Sequence, residues 1–124
     1  MTTMTKSTDS TGSIAALDPE DQKLVVLARG ARSRIGADQG AAVRDSTGRT
    51  YSSANVTLDQ AQLSAATLAL AQALASGAQG IEAVVVCADA AIDDFDGNLL
   101  ANVARGAKYF RVTLSGDVCE EYDF

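Results

Sequence analysis

The residues best equipped for chemistry lie between positions 93 and 98, where Asp93, Asp94 and Asp96 are followed by Asn98. Oxygen ligands at this spacing suit a hard cation such as Ca²⁺ or Mg²⁺. The spacing departs from the EF-hand loop and lacks its distal glutamate, so a solvated acidic loop is the plainer expectation. Ser64 is a second candidate, as a nucleophile, but a serine hydroxyl needs a base to take its proton. The chain has no histidine, and no motif ties Lys6, Lys23 or Lys108 to Ser64. A small residue on a packed helix explains Ser64 more simply. Cys87 falls within an apolar run, where a thiol behaves as an inert small hydrophobe. Cys119 precedes Glu120 and Glu121, whose charges raise a thiol pKa and dull its reactivity.

What is missing narrows the field further. Zero His and two Cys in 124 residues rule out serine–histidine and cysteine–histidine catalysis, along with zinc sites needing three or four Cys/His ligands. No cofactor and no metal are expected. Two cysteines are too few for a disulfide framework, and residues 1–13 have neither the basic nor the apolar region of a secretory signal. A cytoplasmic location is the default expectation. No run of about eighteen apolar residues appears, so no membrane span is expected. Residues 1–81 hold 7 acidic and 7 basic side chains, and residues 82–124 hold 9 acidic against 3 basic, which accounts for the net charge of −6. Arg29, Arg32 and Arg34 are the nearest thing to a basic stripe and read as a solvated helix face. Aromatic residues make up only 5%, too few for base-stacking platforms. Nucleic acid is not an expected partner.

The elements that must position these residues follow from periodicity and punctuation. Residues 1–13 contain eight Ser or Thr and almost nothing to bury, which predicts a disordered tail before a single domain spanning 14–124. Asp18-Pro19-Glu20-Asp21 is a helix start, with a capping carboxylate, a proline at the first helical position and acids at the positive end of the dipole. Leu24, Leu27, Ala28, Ala31 and Ile35 then fall on one stripe, and Gly36 ends it. Residues 40–56 predict a hairpin around a polar turn that contains Gly48. Residues 59–76 predict an Ala- and Leu-rich helix ended by Gly77, with small residues that allow close backbone approach. Residues 81–88 form a nearly continuous apolar run, as in a strand covered on both faces. Residues 89–98 predict an acidic loop, residues 99–107 a short helix and residues 109–114 a further strand. The end, from Cys119 to Phe124, predicts either a docking tail for a basic partner or a frayed terminus with Phe124 folded back onto the core. Helices at these positions would cover a mixed sheet on both faces, giving a three-layer α/β/α domain.

Several of these stretches resemble the small zinc-dependent cytidine deaminases. Gly40-Ala41-Ala42-Val43-Arg44-Asp45, the turn Gly48-Arg49, Tyr51 and Asn55-Val56 are similar to that family's hairpin, which reads G-A-A-[LV], D-G, an aromatic residue and N-V-E. The order of elements from Asp18 to Leu114 is similar as well. The resemblance implies a cytidine-deaminase-like fold with a mixed sheet, and makes assembly as a dimer or tetramer an expectation.

The family's chemistry does not carry over with the fold. Its second helix opens with [CH]-A-E, a zinc ligand followed two residues on by the glutamate that shuttles protons. Ser64-Ala65-Ala66 falls at that place here, making Ser64 and Ala66 the vestigial zinc and acid positions; a shift of two residues would put Ala66-Thr67-Leu68 there instead. The second motif, P-C-x-x-C, would fall within residues 90–98, which contain neither Pro nor Cys. Of the N-V-E residues that hold the ribose in the family, Asn55 matches, while Thr57 replaces the glutamate. Asn after a strand is also a common turn former. The loop between Val56 and Ser64 is about two residues shorter than the family's. These losses predict a non-catalytic protein that acts on an unidentified protein partner or by self-assembly. The alternatives are a cytidine deaminase acting on nucleosides, and a nucleoside sensor that binds without turnover.

Overall fold

The computed structural model describes residues 5–6 and 16–124. Helix α1 (Pro19–Ile35) starts where the sequence places it, with Pro19 in the first turn and Glu20 and Asp21 at the positive end, but the Asp18 carboxylate at the N-cap position makes no capping hydrogen bond. Gly36 closes it in the left-handed conformation at φ 63°. Strands β2 (Gly40–Asp45) and β3 (Thr50–Ala54) form the expected hairpin. The carboxylate of Asp45 organises its turn: Oδ1 accepts from the Thr47 N–H and hydroxyl at 2.9 and 2.7 Å and from the Arg49 N–H at 3.0 Å, and Oδ2 accepts from Tyr51 at 2.9 Å. At the start of β2, a Cβ on Gly40 would lie 2.0 Å from the carbonyl oxygen of Ala28. Only glycine lets the hairpin press this closely against α1.

Three regions differ from the sequence expectation. The helix expected over residues 59–76 is shorter: α2 spans Ala65–Ala75, and the residues before it make a small separate ribbon of β4 (Val56–Thr57) and β5 (Gln62–Leu63). The acidic loop expected through residue 98 ends earlier, because α3 (Asp94–Val103) begins inside it, with Asp94 and Asp96 in its first turn. Carboxylates are favoured at that end of a helix, so acidity there starts the helix. The chain's last segment is neither frayed nor a free docking tail, although Phe124 does fold back onto the core, its ring 5.8 Å from that of Tyr109. Residues Val118–Asp123 form a strand, β8, antiparallel to β7 (Lys108–Val112). The buried Glu120 pairs with Arg111 across it, which removes the cost of turning a carboxylate inward. Of the tail expected at residues 1–13, Thr5–Lys6 pairs with β8 as the short edge strand β1; the rest lies outside the described residues.

Strand β6 (Ile81–Cys87) is the parallel neighbour of β7. The six-stranded sheet has the order β1-β8-β7-β6-β2-β3, and its other pairings are antiparallel. Alternate residues of β6 serve two cores. Ala83, Val85 and Cys87 pack with Leu24, Val25 and Ala28 of α1 on one face. Val84 and Val86 pack with Ala66, Ala69 and Leu70 of α2 and Leu100 of α3 on the other. The domain is therefore a three-layer α/β/α sandwich around a mixed sheet, as the sequence predicted. Among the described residues no helix is long and apolar enough to cross a membrane.

Candidate functional site

Helices α2 and α3 meet at their N-terminal ends. Ser64 caps α2, its Oγ accepting from the Thr67 N–H at 3.0 Å. Asp93 caps α3, its Oδ1 accepting from the Asp96 N–H at 2.8 Å. The two caps are joined through Asp96. Its Oδ1 accepts from the Ser64 hydroxyl at 2.9 Å and from the Thr67 hydroxyl at 2.9 Å. Both helix dipoles present their positive ends to this junction, which favours the carboxylates held there.

A cavity of about 180 Å³ opens beside the junction, lined by Gln39, Ala66, Asp93, Asp96 and Tyr109 together with apolar groups of β6 and the loop after it. Tyr109 comes from β7, is wholly buried, and its phenol oxygen has no hydrogen-bond partner. Burial, reinforced by the charge of Glu120, pushes its pKa far up, so it stands as a neutral phenol. A second opening of about 220 Å³ adjoins the first at Gln39 and Asp93 and is lined by Asn55, Thr57 and Ser64. Gln39 ties the openings together. Its N–H donates to Asn55 Oδ1 at 2.8 Å, and its Oε1 accepts from the Ala65 N–H at 3.2 Å.

The structure thus places Asn55, Thr57 and Ser64 at one opening and Ala66 at the next. Thr57 is exposed, and Ala66 is buried. Gln39 and Tyr109 complete the site without having been singled out for it, while Asp96 was singled out as a cation ligand and Thr67 only as part of the shifted motif register. The spacing Asp93-x-x-Asp96, a capping acid followed three residues later by a second acid, was the available signal for the start of α3. It is also the spacing of the two cysteines in the P-C-x-x-C motif. Nothing in the local sequence marks Tyr109, since an aromatic residue in a β-prone run reads as core. Cys119 does not join the site. Its thiol is raised chiefly by burial, with the neighbouring Glu120 a lesser cause, and it donates to the Arg111 carbonyl at 3.3 Å.

A catalytic zinc does not fit these residues. The junction offers the carboxylates of Asp93 and Asp96 and the hydroxyls of Ser64 and Thr67, all hard oxygen donors, and Asp96 Oδ1 already accepts two hydrogen bonds. Open catalytic zinc sites rely on imidazole and thiolate ligands for most of their coordination. Among the described residues no group of three His, Cys, Asp or Glu side chains is placed to hold a metal ion. Ala66 sets a methyl group on the cavity wall, and a methyl group carries no proton to transfer.

The comparisons with known proteins agree with the fold. The model of the family described as cytidine deaminase-like matches residues 17–116, and the chain belongs to that family. Among solved structures, cytidine deaminase from Burkholderia pseudomallei superposes with a TM-score of 0.71 at 20% identity, covering 79% of this chain and 88% of that one. Cytidine deaminase from Mycobacterium leprae superposes with a TM-score of 0.62, also at 20% identity, covering 81% and 92%. No curated protein matches the sequence.

Proposed function

We propose that this chain is a non-catalytic member of the cytidine deaminase-like family that acts by binding, with its former reactive site kept as a ligand cavity. One observation carries this: at the mouth of α2, hydroxyls and carboxylates bond to one another through Asp96, and Ala66 lines the cavity where a proton-transferring group would be needed. Hydrolytic deamination requires an activated water and a group to deliver protons to the ring and the leaving ammonia. Among the described residues no group of metal ligands stands ready to activate the water, and Ala66 carries no proton to deliver. The position of Ser64 at the cap, facing Asp96, supports Ser64-Ala65-Ala66 over the shifted Ala66-Thr67-Leu68 as the register of the vestigial motif.

Binding through the cavity is better supported than self-assembly or docking of a protein. The most exposed large apolar side chains are dispersed: Val26 and Ile35 on α1, Leu58 between β4 and β5, Leu74 on α2 and Phe95 on α3. Asn55 gives less support to a nucleoside than the sequence suggested, because its Oδ1 already accepts from Gln39 within the fold. The test is elemental analysis of protein purified without chelator. Zinc far below one equivalent per chain is the expected result, and one tightly held equivalent would overturn the proposal.

A further inference from the structure

Tyr109 is wholly buried and lines the 180 Å³ cavity, yet its phenol oxygen bonds to nothing in the protein. Buried polar groups are overwhelmingly paired, so an orphan beside an open cavity marks a partner that the free chain does not supply. The cavity is also bordered by Asp93 and Asp96 and by no basic side chain. Oδ1 of Asp96 is committed to Ser64 and Thr67, and Oδ1 of Asp93 to the Asp96 N–H. The Oδ2 atom of each takes no hydrogen bond from the described residues. One N–H at the start of each helix, that of Thr67 and that of Asp96, is taken by a capping side chain, and the two carboxylates beside them repel an anion.

The other walls, among them Ala66, Val86 and Ile92, are apolar. The volume is slightly larger than the cavities of about 150 Å³ known to accept a benzene ring.

We infer that the cavity binds a small organic cation, an amidine or amine carried on a ring or short apolar body, with its N–H groups directed to Asp93 and Asp96 and Tyr109 completing the polar contacts. This rests on the reading of the cavity as a binding site without metal chemistry. An amidinium supplies several N–H donors in one plane, matching carboxylates at one end of a pocket whose walls take the ring. Burial keeps the phenol neutral, so Tyr109 adds a polar contact without adding charge.

The test uses three ring compounds of nearly the same shape and different charge: benzamidinium, neutral benzamide and anionic benzoate, each titrated to millimolar concentration against the full chain. Thermal shift and NMR chemical-shift changes are read together. Benzamidinium should bind saturably, with benzamide weaker and benzoate without effect, and added salt should weaken it. Asp96→Asn, which keeps an acceptor for Ser64 and Thr67, should reduce benzamidinium affinity by at least about tenfold. Tyr109→Phe, which disturbs no hydrogen bond of the free protein, should reduce it several-fold. Equal binding of all three compounds, no binding of benzamidinium, or affinity unchanged in both variants would overturn the inference. So would displacement of benzamidinium by Mg²⁺ or Ca²⁺ alone at lower concentration, which would assign the acids to a metal. Turnover of cytidine would sink the non-catalytic reading and leave this binding series to be judged separately.

Discussion

Ser64 and Asp96 stand 32 residues apart in sequence, and the Ser64 hydroxyl donates to Asp96 Oδ1 at 2.9 Å, fastening the start of α2 to the first turn of α3. With Thr67 bonded to the same oxygen, one carboxylate ties two helices where a catalytic member of the family would need a metal. Asp96→Ala leaves two hydroxyls without their acceptor. Charged hydrogen bonds contribute about 1.5–3 kcal/mol each, and truncation to alanine should lower stability by roughly 2 kcal/mol or more. Chemical denaturation measures this, and Asp96→Asn should lose clearly less.

Tyr109→Phe should act in the opposite direction. Its phenol oxygen is buried and unpaired, and an unsatisfied buried polar group costs on the order of 1–3 kcal/mol. Removing the oxygen should raise the melting temperature of the ligand-free protein by a few degrees. A lower melting temperature would show that the hydroxyl has a partner in solution.

On the proposed register, Ala66→Glu would restore a carboxylate to the place of the family's proton shuttle. Ala66 is 2% exposed and shares the cavity with Asp93 and Asp96. A third carboxylate there is repelled and desolvated, so the variant should be destabilised at neutral pH and recover in part toward acid pH. No deamination should appear. A melt unchanged at pH 7 would place position 66 away from the acids.

Acid stability depends on Asp45. Its hydrogen bond from the Thr47 hydroxyl, aided by Tyr51 and the backbone of Thr47 and Arg49, brings its pKa down to about 2 against a partial opposing effect of burial. A carboxyl whose folded pKa lies below its unfolded value stabilises the fold at higher pH and loses that contribution as pH falls. The loss should run from about pH 4, the ordinary aspartate range, to about pH 2. Asp45→Asn should flatten the stability curve across that window, as followed by denaturant midpoints at successive pH values.

Much of the fold was legible because local and global signals agree in it. The Asp18-Pro19 start, the Gly48 turn and the unbroken apolar run of β6 each have one structural solution. Where they conflicted, the sequence misled. The Ala- and Leu-rich stretch promised helix from residue 59, but Val56–Thr57 pairs with Gln62–Leu63 and the helix waits for the Ser64 cap. In β8 the inward position of Glu120 breaks the apolar alternation that announces a strand, and partners such as Arg111 on β7 and the Tyr122 hydroxyl make that tolerable. The candidate site was half legible. Asn55, Thr57, Ser64 and Ala66 were found through the resemblance and Asp96 through its acidic cluster, while its bonds to Ser64 and Thr67, and the place of Tyr109, depend on contacts that cross from one element to another.

The most direct test of the central claim is conversion of cytidine to uridine, followed by absorbance, with the protein at micromolar concentration in zinc-supplemented buffer. The absence of a metal-binding donor set and the methyl group of Ala66 predict no conversion above the uncatalysed rate, with or without zinc. Zinc-dependent conversion, abolished by a chelator and restored by metal, would contradict the account and return the chain to the catalytic members of its family.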